Sequence, residues 1–382
     1  MIHLAKRDKI HPAAAWGIRI AAFVLGLLVC GLLAFLMIDK LRNNPAKISD
    51  FYLSFINGIS SSNAANIWMN RKFWVFLKNL ALLLCVALAL TPAFRMRFWN
   101  IGGEGQTLIG VLAAIAVSFY MGGKGKTALN PEWVIIPLML VAAVIAGALW
   151  ALIPALFKSK WNTNETLFTL MMNYIAIELV SYFLIVWVPN GSSALGELPY
   201  GHMPDLVVYP EKAVAPANKY LLIVLIVLVV SVLLFVYLSR SKHGYEISVV
   251  GESERTARYI GINVKKVTIR TMILSGALCG LAGFLIAACL DHSVNTDSVG
   301  GQGFTAIMVS WLANFNPLVM IFTSGIIVFL NQGASQISTT FNVSGAFPSV
   351  VIGVMLFFII GSEFFIRYKL CRSRDEGKEK VK

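Results

Sequence analysis

Every residue from Ser298 to Ser362 is something other than Asp, Glu, Lys or Arg. A helix or strand on a soluble surface needs a polar face, so an uncharged run of this length does not fit a water-exposed fold. It fits the bilayer, where a helix needs about 20 apolar residues to cross roughly 30 Å of hydrocarbon. The run is too long for one or two such helices and long enough for three, with turns at Asn314-Phe315-Asn316-Pro317 and near Ser344-Gly345. The rest of the chain agrees. It has 382 residues, 57% of them hydrophobic and 13% charged, about half the charged share of an ordinary soluble domain. We therefore expect an all-α polytopic membrane protein with about ten transmembrane helices. Their expected positions are 16–38, 73–92, 101–121, 133–157, 165–188, 220–238, 266–290, 302–313, 317–335 and 347–366, and 302–313 is short for a span.

The net charge of +13 does not point to nucleic acid, because the Lys and Arg residues cluster at the ends of apolar runs rather than along one soluble face. With the amino terminus inside, most of the basic residues fall on the cytoplasmic side: Lys6, Arg7, Lys9, Arg95, Arg97, Lys158, Lys160, the cluster at 240–270 and the tail from Arg367. That asymmetry has the expected sign and places both termini in the cytoplasm. The first apolar run is longer than a signal-peptide core and ends at Asp39-Lys40, so it is expected to stay as a helix. Five cysteines lie in or beside apolar segments without C-x-x-C spacing, which predicts neither a disulfide framework nor a metal site. The external stretches 39–72, 122–132 and 189–219 are too short to be catalytic domains.

Gly102-Gly103-Glu104-Gly105-Gln106-Thr107 is echoed by Gly300-Gly301-Gln302-Gly303-Phe304-Thr305. In this topology the two copies open helices from opposite sides, the mark of two inverted-topology halves. Free amides at such helix starts could solvate polar cargo, and glycine equally permits tight helix packing. Gln106 and Phe304 are candidate pathway residues on the first of these readings. The small-residue run Ser275 to Gly283 reads as close packing. In the fifth helix Thr166, Thr169 and Asn173 share one face, a candidate uncharged polar path. Glu178 lies roughly 140° round from Asn173, and an intramembrane carboxylate calls for a partner or water. Asn331, with Gln332 and Gln336, is a weaker candidate. Gly125-Lys126-Thr127 fails as a phosphate loop because Tyr120 stands where the motif needs Gly. Asp291-His292 reads as a solvated helix end, with no neighbouring nucleophile or ligand spacing.

The cytoplasmic loop 239–266 differs in kind. Glu252 and Glu254 begin a short helix, Arg255 and Arg258 follow toward its end, and Gly261 can close it in the left-handed conformation. Its position between the two proposed halves suits docking of a cytoplasmic partner.

With these residues set out, the chain from about 75 to 365 resembles the permease subunits of bacterial ABC importers of the branched-chain amino acid and simple-sugar type. The resemblance rests on Asn100-Ile101-Gly102-Gly103-Glu104-Gly105-Gln106, Asn164-Glu165-Thr166 through Asn173-Tyr174-Ile175-Ala176, the Gly251–Gly261 loop, and Gly303-Phe304-Thr305-Ala306-Ile307 before Pro317. The first two look most like the nucleoside-importing subgroup. Residues 1–72 lie outside the best match, and Gly103 stands where that subgroup has a bulkier residue. The resemblance implies a type II importer half with three parts: 1–72 as terminus, first helix and external segment, 73–366 as permease core, and 367–382 as basic tail. It implies a second permease, often a non-identical paralogue, ABC ATPase subunits docking on the 251–261 segment, and a substrate-binding lipoprotein, in a bacterial inner membrane. No cofactor would bind this chain, because ATP and Mg would sit on the ATPases. The expected activity is non-enzymatic import of nucleosides by alternating access. Simple sugars or branched-chain amino acids are alternatives within the family, and an ion-coupled secondary transporter is an alternative of another class.

Overall fold

The computed structural model describes residues 2–6, 11–38, 48–59, 70–122, 131–188, 194–204, 215–343 and 346–372. Gly125-Lys126-Thr127, the turn near Ser344-Gly345, Arg7, Lys9 and the tail beyond Arg372 lie outside the described residues. The helices are α1 (Pro12–Met37), α2 (Ile48–Asn57), α3 (Arg71–Arg95), α4 (Gly103–Met121), α5 (Glu132–Trp161), α6 (Glu165–Trp187), α7 (Ala215–Arg240), α8 (Lys242–Glu252), α9 (Glu254–Tyr259), α10 (Val264–Ile286), α11 (Gln302–Leu312), α12 (Pro317–Phe341) and α13 (Phe347–Arg367). All ten expected membrane segments are helical. Among the described residues, 9 are long and apolar enough to cross a bilayer. The tenth, α11, has 11 residues and reaches about 16 Å at 1.5 Å per residue, about half the hydrocarbon thickness. The turn at 314–316 is present, with Asn314 and Phe315 both at positive φ.

The chain forms two compact units, Ala65–Ile326 and Met1–Ala64 with Ile327–Lys382; the boundary falls inside α12. In the larger unit α3 is central, with Ala81 to Phe94 buried on every side, as a helix that is apolar all round should be. Asn70 caps its start by accepting from Lys72 N at 3.0 Å. α4, α5 and α10 cross at near-backbone contact. A Cβ on Gly276 would stand 2.3 Å from Gly147 O, and one on Gly280 2.2 Å from Ala143 O. The small residues of 275–283 are thus there for close approach, the device membrane helices use when no hydrophobic drive separates helix from lipid.

One end of this unit gathers basic residues. Arg97, Lys158, Lys160, Arg258 and Lys265 line a cavity of about 340 Å³, where Lys158 also pairs with Glu165 at 2.7 Å. At the opposite end, segment 194–204 lies along the end of α10: Leu195 N donates to Val294 O and Met203 N to Ala288 O. There α10 passes into a single π turn, Ala287–Asp291.

The smaller unit packs α1, α2, α13 and the last turns of α12. Its core includes Cys30, Ala34, Phe51, Phe55, Leu330, Ile337 and Met355. The 39–72 stretch, expected to be a hydrophilic loop, contains α2, whose Phe51, Ser54 and Phe55 are buried at the three-to-four spacing of an amphipathic helix. The other face of α1 shows Leu28, Leu32 and Leu36 outward, as suits hydrocarbon surroundings. Strands Ile2–Lys6 and Tyr368–Arg372 pair antiparallel, from Ile2 opposite Arg372 to Lys6 opposite Tyr368, a small departure from an all-α chain.

Candidate functional site

The start of α4 is built from side-chain amides. Asn100 is fully buried, and the segment 98–102 that carries it has no regular ladder, so its polar groups must find partners locally. Asn100 Oδ1 accepts from Gly102 N at 3.1 Å and Gln106 Nε2 at 3.0 Å, while Asn100 Nδ2 donates to Gln106 Oε1 at 3.2 Å and Ser275 Oγ at 3.3 Å. From α6, Thr169 Oγ1 accepts from Ile101 N at 3.2 Å. Asn173 Oδ1 accepts from Gly105 N at 2.9 Å, and its Nδ2 donates to Ile101 O at 3.0 Å. A Cβ at Gly105 would lie 2.8 Å from that same Oδ1, so this close approach requires glycine.

Glu104, one residue on, reaches α11. Its two carboxylate oxygens accept from Gly301 N at 2.9 Å and Gly303 N at 2.6 Å. The two glycine-rich helix starts that echo each other in sequence are therefore joined, the carboxylate of one capping the amides of the other. These amides, considered above as donors to cargo, bond to side chains in this arrangement.

The faces of α6 divide as its periodicity predicts. Thr169 and Asn173 are buried against the α4 start, and Thr166 is half-buried. Glu178 is exposed and makes no bond to another described residue of the chain. It stands between Tyr174 and Tyr182, which are 59% and 63% exposed, at four-residue spacing on one face. These two tyrosines were missed by reading the sequence, because isolated aromatics in an apolar helix resemble lipid-facing filler. Phe304 is exposed on α11. Asn331 is exposed on the last part of α12, in the other unit.

The 239–266 segment folds as two helices rather than one. Ser253 is extended and caps α9, accepting from Thr256 N at 3.2 Å. α8 is anchored: Glu246 pairs with Arg270, and a Cβ at Gly251 would stand 2.1 Å from Arg95 O. α9 buries only Ala257. It ends in a Schellman motif, with Ile262 N bonded to Ala257 O and Gly261 N to Arg258 O, Gly261 being at φ +85° as the sequence required. Glu252, Glu254, Arg255 and Arg258 are all exposed, and Arg258 pairs with Glu254 at 3.2 Å. Beside them Tyr259 is 92% and Ile260 51% exposed. An apolar tip on a charged, rigidly capped projection has the composition of a docking surface.

The reading of Asp291-His292 is corrected. Asp291 is exposed, but His292 is buried and its ring stacks on His202, centroids 3.6 Å apart. The signal was absent from the sequence because the partner comes from a distant loop.

Residues 75–360 match the family model described as the branched-chain amino acid transport system permease component. The chain belongs to this family. Among its relatives, the guanosine ABC transporter permease NupP of Bacillus subtilis is 27% identical over 76% of this chain and 81% of its own length. The glucose ABC transporter permease TsgB13 of Haloferax volcanii is 29% identical over 75% and 76%. The nucleoside ABC transporter permease NupB of Lactococcus lactis is 26% identical over 78% and 81%. This permease is accordingly a multi-pass membrane component of an ABC transporter, and the two helix starts joined by Glu104 both lie in the matched region.

Proposed function

We propose that this permease imports nucleosides, and that its pathway surface is the exposed face of α6 carrying Tyr174, Glu178 and Tyr182. The observation that carries the proposal is a carboxylate exposed between two exposed tyrosines within a membrane-length helix. Such a group is costly against lipid, about 2.5–3.5 kcal/mol at the bilayer centre on insertion scales, and becomes affordable when the face lines a water-filled path. A second permease across that path, expected to be a non-identical paralogue, encloses it. Tyrosine rings offer stacking surfaces to a base, and the carboxylate accepts from ribose hydroxyls or base amino groups. Thr166, Phe304 and Asn331 are further candidates for pathway contacts. Gln106, Thr169 and Asn173 hold the framework behind it.

The basic end of the larger unit is cytoplasmic in this reading. α9, with Glu252, Glu254, Arg255, Arg258 and the tip Tyr259-Ile260, docks on ABC ATPase subunits that supply ATP and Mg. Their closure drives alternating access, and a substrate-binding lipoprotein delivers cargo from outside. Two of the relatives named above are nucleoside or guanosine permeases, which supports the cargo assignment. A glucose permease of similar identity makes simple sugars the second reading.

The test is uptake by the reconstituted complex of this chain with its partner permease, ATPases and lipoprotein. Labelled uridine, adenosine and guanosine should enter in an ATP-dependent manner and compete with one another, and Glu178→Gln or Tyr182→Ala should cut uptake at least fivefold. Glucose or ribose uptake without nucleoside uptake overturns the cargo, and uptake without ATPase subunits overturns the energy source.

A further inference from the structure

We propose that Glu197, His202 and His292 form a binding site for a divalent transition-metal ion of the zinc class, at the end of the larger unit opposite its basic cavity. Their ligand atoms all lie within 4.8 Å of one another. Nothing in their sequence spacing groups them. The fold does so by lacing segment 194–204 onto the end of α10: Leu198 N donates to His292 O at 2.9 Å, flanked by the Leu195–Val294 and Met203–Ala288 bonds, and Ala194 bridges to Asn295.

The backbone at His292 is unusual in two ways. It follows a π turn at Ala287–Asp291, and it sits at φ 49°, ψ 20°, the left-handed region that a histidine adopts at some cost. Both features recur where a fold aims a particular side chain at a functional position. Here they turn the imidazole inward, where it is 3% exposed and stacks on His202 with ring planes 9° apart.

The donor chemistry is specific. His202 Nε2 lies 2.6 Å from Leu198 O; a carbonyl only accepts, so Nε2 carries the hydrogen and Nδ1 keeps the lone pair. A backbone carbonyl that fixes the far ring nitrogen is the usual support for a metal-binding imidazole. Two imidazole nitrogens and one carboxylate oxygen make a three-ligand set that suits Zn²⁺ and leaves a fourth position for water, whereas Mg²⁺ and Ca²⁺ prefer all-oxygen sets. The parallel stack holds the two rings 3.6 Å apart, so sharing one ion turns a ring about χ2, a soft torsion. Glu197 is exposed and closes the site from the solvent side. A bound ion would tie the 194–204 segment to α10 independently of the cargo transported.

The experiment uses the full chain, untagged with histidine and stripped with chelator, in detergent. Zn²⁺ bound per chain is measured by equilibrium dialysis with elemental analysis, and Co²⁺ is added as a spectroscopic probe. The wild type should take up one Zn²⁺, give the intense visible band of low-coordinate cobalt, and gain thermal stability with Zn²⁺. Glu197→Gln and His202→Gln should each weaken Zn²⁺ binding at least tenfold and remove the thermal gain. Glu197 is exposed, so its variant keeps the test valid should replacements at the buried histidine disturb folding. A wild type that binds no Zn²⁺ overturns the proposal, as do two variants that bind it as tightly as the wild type.

Discussion

Glu104→Ala removes a side chain that joins the two glycine-rich helix starts, and the structure gives the size of the effect. The carboxylate accepts from Gly301 N and Gly303 N at 2.9 and 2.6 Å, and hydrogen bonds to an ionised group contribute about 1.5–3 kcal/mol each. Gly303 is buried and Gly301 only partly so. The Gly303 bond therefore belongs at the top of that range, and the Gly301 bond, whose donor water can reach, at the bottom. Their sum is roughly 4.5 kcal/mol. Glu104→Gln keeps one oxygen but turns an NH₂ toward a backbone N–H, which loses about half of that, on the order of 2 kcal/mol. Unfolding of the purified permease in detergent, followed by tryptophan fluorescence, reads this directly, because Trp311 on α11 lies against Trp99 with ring centroids 5.1 Å apart. The expected order of stability is wild type, then Glu104→Gln, then Glu104→Ala, with the Trp signal lost first in the alanine variant. Wild-type stability for Glu104→Ala would refute the bridging role. Equal losses for the two variants would refute the division into two separate acceptors.

Three further outcomes follow from the same contacts. Asn173→Ala should destabilise by about 2–4 kcal/mol, since it strands the buried Gly105 N and the part-buried Ile101 O, whereas Thr166→Ala, half-buried on the same helix, should shift the unfolding midpoint little. Gly280→Leu, which drives a side chain into Ala143 O, should cost several kcal/mol through overpacking and separation of α5 from α10, seen as loss of folded protein in detergent. Reversing Arg255 and Arg258 to Glu, or replacing Tyr259 by Ala, should lower cargo-stimulated ATPase activity several-fold and leave docking of the external binding protein intact, because all three side chains point into solvent. Unchanged stimulation in all of them would move the ATPase contact away from α9.

Among the described residues, hydropathy alone located nine helices long enough to span, together with the shorter α11, because a backbone in hydrocarbon must satisfy its own hydrogen bonds and does so as helix. It did not reveal α2, whose buried stripe of Phe51, Ser54 and Phe55 is too short to stand out from a loop. Cap chemistry was legible at Gly261, which could close the helix in the left-handed conformation and is found there at φ +85°. The break at Ser253 was not foreseen, although serine is a favoured N-cap residue.

Side-chain roles were less legible. The periodicity of α6 correctly separated Asn173 from Glu178, since the angle between them is fixed by 3.6 residues per turn. Which face turned inward was decided by packing. The polar Thr169 and Asn173 face is held against the start of α4 because the irregular backbone at Ile101 and the first-turn amide of Gly105 need its hydrogen bonds, and this leaves Tyr174, Glu178 and Tyr182 outside. The echo of the two glycine-rich starts could be seen as a repeat, but not that Glu104 would bind across it.

The order of residues thus determines what depends on near neighbours: helix, span, cap and the faces of each helix. Only the tertiary structure decided which distant groups meet, as with Glu104 and Gly303 or His202 and His292. Such meetings depend on how helices pass one another and loops settle on their ends, a geometry that no local spacing encodes.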